Sequence, residues 1–160
     1  MSTGKFYTPF QEPWWLDATA PGRWDAVQVE RGGQLQAYLP FVIEESNGIR
    51  FLKQPLLTQS LGPWISETGA GYTTTLSREM SLYKELIDGL PAHDVFRQQF
   101  ATQVTNWLPF YWEGFEQTTR YTYTLDMRQD LEEIYRGMDK RNRRQLRHAQ
   151  ESLTAETSDD

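Results

Sequence analysis

The 160-residue chain has no cysteine. That excludes disulfides, thiolate metal sites and a cysteine nucleophile, and it fits a reducing compartment. Histidine is nearly absent as well. His93 and His148 are the only two, and neither stands in a metal-ligand spacing. His93-Asp94 opens a candidate strand and reads as surface. No G-x-S-x-G elbow occurs, so a hydrolase triad has no support. Neither the P-loop G-x-x-x-x-G-K-S/T nor the dinucleotide G-x-G-x-x-G is present. Met1 to Ala20 holds no apolar h-region, so it is not a secretory signal. The longest mostly apolar run, Leu35 to Ile43, is far short of the roughly 20 residues a bilayer span needs. These absences point to a metal-free cytoplasmic protein with no transmembrane segment.

Aromatic residues are plentiful: six Trp, eight Tyr and eight Phe. A chain of this length and aromatic content can bury a core and is not disordered for most of its length. Trp14, Trp15, Trp64, Trp107 and Trp112 could stack on sugars, although core or rim packing is the commoner use of such residues.

Formal charge is −6, from 16 basic and 22 acidic residues. The distribution is uneven. Arg136 to His148 carries six basic residues (Arg136, Lys140, Arg141, Arg143, Arg144, Arg147) against one acid, Asp139. That segment is therefore +5, and the remainder is −11. A globally acidic chain is a poor generic nucleic-acid binder, so no DNA partner is expected. A local basic patch can still hold one specific anion.

Periodicity and turn residues organise the chain. A short helix follows Pro13, which suits a first-turn position. Ala26 to Glu30, Gln34 to Ile43 and Ile49 to Leu52 read as a strand meander. Its turns fall at Gly32-Gly33 and Ser46-Asn47-Gly48, and Pro40 suggests an edge or a bulge. Gln54 to Ile65 is an apolar loop that packs down or lines a cleft. Ser77 can cap a helix to Asp88, with the stripe Leu82, Tyr83, Leu86, Ile87 and Leu90, ended by Gly89 and Pro91. Val95 to Ala101 reads as a strand and Val104 to Glu113 as a short aromatic helix. Gln117 to Asp126 is the clearest strand, with Tyr121, Tyr123 and Leu125 alternating with Arg120, Thr122 and Thr124. Strands alternating with helices give an α/β class, with a mixed, largely antiparallel sheet flanked by helices.

The last helical region opens at Asp130, which with Glu133 resembles a capping box. On a wheel of about 100° per residue, Leu131, Ile134, Tyr135, Met138, Asn142, Gln145, Leu146, Ala149 and Leu153 form one stripe. Arg136, Lys140, Arg143, Arg144 and Arg147 lie opposite, with Arg141 between. Gly137 can split the region into two helices. Arg136 then leaves the face, while Lys140, Arg143, Arg144 and Arg147 stay together. Guanidinium groups so placed suit phosphate; the bland alternative is a solvated face. A second anion candidate is Gln59-Ser60-Leu61-Gly62-Pro63-Trp64. It partly echoes the R/Q-x-x-G-x-G/A loop with which acetyltransferases hold the coenzyme A pyrophosphate. Trp64 replaces the final small residue and Pro63 removes an N–H, so a structural turn is the first reading of that stretch.

The stretch Arg143, Arg144, Gln145, Leu146, Arg147, His148, Ala149 resembles the RRNIRKA-like stretch of FemAB-like acyltransferases, within the GNAT superfamily. The preceding Thr119 to Asp126 is similar to the strand that precedes that stretch in the family. Pro13-Trp14-Trp15-Leu16-Asp17-Ala18 and the Pro55 to Trp64 loop look like a bacterial subgroup. The resemblance implies a GNAT-like acyl-CoA N-acyltransferase fold over residues 1–153. Residues 154–160 would then be a polar tail opening an absent second GNAT-like half. It further implies transfer of an acyl or aminoacyl group, from acyl-CoA or an aminoacyl donor, to an amine on a small molecule or a cell-wall or surface-glycan precursor. Lys140, Arg143, Arg144, Arg147, Gln59, Trp64, Trp15 and Tyr121 are the candidate substrate- or anion-binding residues, and Tyr121 or Tyr123 a candidate proton donor. No catalytic side chain is assigned. The expected partner is a second GNAT-like half or a homo-oligomer partner. The alternative function is a non-catalytic module that uses the basic face to bind an anion or dock on a neighbour.

Overall fold

The computed structural model describes residues 6–126 and 128–156. The chain divides into two compact units, residues 1–117 and 118–160. The expected polar tail falls partly on 157–160, which, like 1–5, lie outside the described residues.

The first unit is a mixed sheet with helices. A 3-10 turn, Pro9–Gln11, leads into α1 (Pro13–Thr19), with Pro13 in the first turn as expected. Then come β1 (Trp24–Arg31), β2 (Gln34–Ser46) and β3 (Ile49–Lys53), an antiparallel meander. Both hairpin turns use two residues of positive φ: Gly32 and Gly33, then Asn47 and Gly48. That backbone matches the twist of the flanking strands. β4 (Trp64–Ile65) pairs antiparallel with β2. After α2 (Tyr72–Asp88), β5 (Val95–Arg97) returns parallel to β3. The sheet order is β1-β2-β3-β5, with β4 also beside β2. α3 (Leu108–Trp112) follows.

β2 is the centre of the sheet, not an edge. Residues 37–42 are buried on both faces, as a continuous apolar run permits. Pro40 is tolerated for a specific reason. Even-numbered residues of β2 face β3 and β4, since Ser66 N donates to Gln36 O, while Arg23 O accepts from Ile43 N on the other side. β4 pairs at 37–38 and β3 from 42, so Pro40 falls in the gap between them. No strand there asks for the N–H it lacks, and its carbonyl accepts from Gln98 Nε2 at 2.7 Å.

One face of the sheet joins Val29, Ala37, Leu39 and Ile65 to Leu82, Tyr83 and Leu86 of α2 and to Phe110. Each fully buried Leu or Phe contributes about 1.5–3 kcal/mol. On the other face, Phe6 stacks on Tyr38 and meets Trp64 edge-on.

Several expected boundaries move. α2 starts at Tyr72 behind Gly71, not at Ser77, which is inside the helix. The low-propensity threonines of its first turn are accommodated there, with the Thr75 hydroxyl donating to Ala70 O. The strand expected over Val95–Ala101 stops at Arg97. Beyond it Gln98 and Gln99 bind the 54–62 loop, and Phe100 bridges to Leu61. The aromatic helix starts at Leu108 because Pro109 belongs in a first turn.

The second unit holds α4 (Leu131–Gly137) and α5 (Lys140–Ser152). The break falls after Gly137, where Met138 and Asp139 are extended. Asp130 accepts from Glu132 N and caps α4; Asp139 accepts from Asn142 N at 2.7 Å and caps α5. The strand expected over Gln117–Asp126 is absent: this stretch is irregular chain outside the sheet. Its alternation marks two faces, but among the described residues no strand of the sheet pairs with it. Tyr121 is 95% and Tyr123 102% exposed.

Candidate functional site

Lys140, Arg143, Arg144 and Arg147 recur at helical spacing on α5, so all four project from one side. Gly137 separates Arg136 from them; it pairs with Glu132 on α4 at 3.7 Å. Among the described residues the four α5 cations make no ion pair with any carboxylate of the chain. Glu151 falls on the same face, four residues after Arg147, yet forms no bridge to it. Basic-before-acidic is the weaker order for such a pair. α5 buries none of its residues, and only Arg143 among the four is partly covered. The face is thus a concentrated, solvent-reachable cation row whose charges repel one another.

The loop candidate resolves differently. Gly62 has φ +79, and a Cβ there would lie 2.6 Å from the Phe100 ring. Its N–H donates to Gln98 Oε1 at 3.1 Å and its carbonyl accepts from Gln11 Nε2 at 3.0 Å. Leu61 N–H is taken by Gln99 O, and Pro63 has no N–H. The Leu61 and Gly62 N–H groups are thus spent inside the fold, as in a structural turn. Trp64 is buried under Phe6 and Tyr7. Gln59 is exposed. Trp15 is half-buried, donating from Nε1 to Thr58 Oγ1 at 2.9 Å and meeting Phe10 edge-on. The loop tip is the exception: Leu56 and Leu57 are exposed, and Leu57 adopts φ +60, uncommon for a bulky residue.

Trp15, Gln59 and Trp64 belong to the first unit, and Lys140, Arg143, Arg144, Arg147 and Tyr121 to the second. His93 is half-buried with Nδ1 2.8 Å from Pro91 O, and His148 is exposed beside Ser152.

One concavity was not signalled by any motif. Tyr7, Ile65, Ser66, Glu67, Thr68, Thr75, Arg78 and Glu79 line a cavity of about 190 Å³ at the start of α2. Arg78 donates to Ser66 O, Ser66 Oγ and Gln36 Oε1 at 2.6–2.8 Å. The Tyr7 hydroxyl donates to Ile65 O at 3.1 Å. Burial raises the Tyr7 pKa, and the nearby Glu79 and Glu67 push the same way. This phenol is held as a neutral donor. The cavity carries one cation against two carboxylates, so it suits a small neutral or cationic polar group better than a phosphate.

Among the described residues no helix is long and apolar enough to cross a membrane, and no group of three His, Asp or Glu is placed to hold a metal ion. No family model, curated protein or solved structure matches the chain.

Proposed function

We propose that the chain is the first half of an N-acyltransferase, in which the basic face of α5 binds the phosphate or diphosphate of an acyl donor or of the amine-bearing acceptor. The observation that carries this reading is the row Lys140, Arg143, Arg144 and Arg147, aligned on one helix and unpaired with carboxylates among the described residues. The mixed, largely antiparallel sheet flanked by helices is compatible with the GNAT-like architecture that the RRxLRHA resemblance implies. In this reading the cations position the charged end of the substrate. Attack by the amine on the acyl carbonyl then needs an oxyanion stabiliser and a proton acceptor, supplied with a second half.

The test is titration of the chain with inorganic pyrophosphate and with acetyl-CoA, followed by amide NMR at low and physiological salt. Shifts should cluster on residues 140–147 and weaken steeply with salt, as counter-charge binding requires. A charge-assisted hydrogen bond is worth about 1.5–3 kcal/mol, so Arg144→Ala with Arg147→Ala should weaken binding by about tenfold or more. Pyrophosphate and CoA binding that ignores both substitutions sinks the proposal. Binding without acyl transfer to any amine, measured on a chain extended past Asp160 into a second half, would leave α5 as a non-catalytic anion module.

A further inference from the structure

The chain leaves the sheet at Ile65 and enters α2 at Tyr72. Thr75, Arg78 and Glu79 stand three and four residues apart, so they share one face of that helix. Arg78 ties this face to the end of β4 by donating to Ser66 O at 2.8 Å. The space left between them is the cavity of about 190 Å³. Buried Ile65 lies at its bottom, half-buried Thr75, Arg78 and Glu79 form a wall, and exposed Glu67 stands at its mouth.

The protons of the lining are largely committed to the fold. The Tyr7 hydroxyl donates to Ile65 O at 3.1 Å, the Ser66 hydroxyl to Gln36 Oε1 at 3.4 Å, and the Thr75 hydroxyl to Ala70 O at 3.2 Å. Each hydroxyl has one proton to give. Arg78 makes three donations, all to neutral oxygens of Ser66 and Gln36. The two carboxylates stand differently. Among the described residues Glu67 and Glu79 enter no ion pair and accept no hydrogen bond. A carboxylate only accepts, so the lining presents a surplus of acceptors. One cation, Arg78, against two carboxylates leaves it a net charge of −1. Burial raises the Tyr7 pKa, so at neutral pH the phenol adds no third negative charge.

We propose that this cavity binds a protonated primary amine, whose ammonium donates to Glu67 and Glu79. An ammonium carries three N–H donors and no acceptor, the complement of what the lining offers. Its single positive charge brings the lining to neutrality. Size sets a limit on the ligand. A water molecule takes about 30 Å³, so the cavity holds roughly six water-sized groups. That suits a short alkylamine, or the amine-bearing end of a longer molecule that leaves past Glu67. A calcium ion would ask for six to eight oxygen ligands, and among the described residues no three acids gather to supply them. The inference rests on the cavity alone and is independent of the acyltransferase reading, whose tests read anion binding at α5.

The test is titration of the chain with ethylammonium chloride, followed by amide NMR at low salt. Saturable shifts should gather on Tyr7, residues 65–68 and residues 75–79. Tetramethylammonium has the same charge but no N–H to donate, and should not reproduce them. Sodium acetate should leave these amides in place. Glu67→Gln with Glu79→Gln keeps the shape of the lining and removes both negative charges. Hydrogen bonds to charged groups are strong enough that this double variant should bind about tenfold more weakly or worse. Neither carboxylate has a partner to lose, so its urea midpoint should match that of the unmodified chain. Glu67→Gln alone, at the exposed mouth, should show a smaller loss. Glu116→Gln, an exposed acid outside the lining, should bind as the unmodified chain does. The absence of any saturable shift with ethylammonium overturns the proposal. So do shifts that tetramethylammonium reproduces, and so does an affinity that ignores the substitutions at Glu67 and Glu79.

Discussion

Residues 6–117 and residues 118–156 are built on opposite principles. The first unit threads a central strand, β2, between two apolar layers and holds nearly all of the buried hydrophobic residues. The second strings capped helices after an irregular aromatic segment and, among its described residues, buries only Ile134. The first pairs the amide of Gln11 within its own fold. That fully buried amide accepts from Thr8 N and donates to Gly62 O. The second unit keeps its cations and its apolar side chains in water. A region with its own core is stable by itself; a region without one draws stability from something it binds.

The sharpest way to break this contrast is a pair of truncations. Phe110 sits at the meeting point of Tyr83, Phe96, Phe100 and Phe115. Phe110→Ala should cost about 3–5 kcal/mol, read as a large drop in the urea midpoint. Ile134→Ala should leave that midpoint within about 0.5 kcal/mol, because the main transition reports the first unit. If both variants move the midpoint equally, the two units unfold as one.

How far the sequence announced this depended on how local each signal was. The β1–β3 meander was legible because Gly32-Gly33 and Asn47-Gly48 need only their own backbone to make a turn. The basic face was legible because helical spacing alone puts Lys140, Arg143, Arg144 and Arg147 together. Pro40 misled, since its place in a central strand depends on a gap between two other strands. The 117–126 alternation misled in another way: side-chain alternation alone does not bring a stretch into the sheet. Within Gln59–Trp64, the N–H and carbonyl of Gly62 are taken by Gln98 and Gln11, which are distant in sequence and so invisible to the motif. The Tyr7–Arg78 cavity draws on three separate segments, so no spacing could have shown it.

An intermediate effect comes from alkaline pH. Burial raises the pKa of Tyr38 and of Tyr83 well above the ordinary value of 10.0. The Tyr38 hydroxyl, moreover, has no hydrogen-bond partner among the described residues. Below pH 10 both folded and unfolded chains keep these protons, and their contribution to stability is constant. Above it the unfolded chain releases protons that the folded chain retains, so stability falls as pH rises. Each residue adds a slope of up to about 1.4 kcal/mol per pH unit. Urea unfolding at pH 8, 10 and 11 should show the decline. Tyr38→Phe should reduce the slope and, by removing an unsatisfied buried hydroxyl, cost little at pH 8. An unchanged slope would mean that Tyr38 does not titrate through unfolding.

The smallest expected effect bears most directly on the second unit. Asp139 caps α5 through Asn142 N, and its charge sits at the positive end of the helix dipole, ahead of five basic residues. α5 is a 13-residue helix with nothing buried, close to the length at which an isolated helix is marginal. Its cap therefore governs how much of the time it is formed. Asp139→Ala should cost about 1 kcal/mol of local helix stability and leave the main urea midpoint in place. The loss should appear as weaker helical dichroism and faster amide exchange confined to residues 140–152. Saturating pyrophosphate should restore both, because an anion across Lys140, Arg143, Arg144 and Arg147 binds the formed helix and favours it by mass action. Recovery with pyrophosphate but not with equal ionic strength of chloride would tie the order of α5 to occupancy of its cation row. Recovery with both would reduce the row to a screened, solvated face.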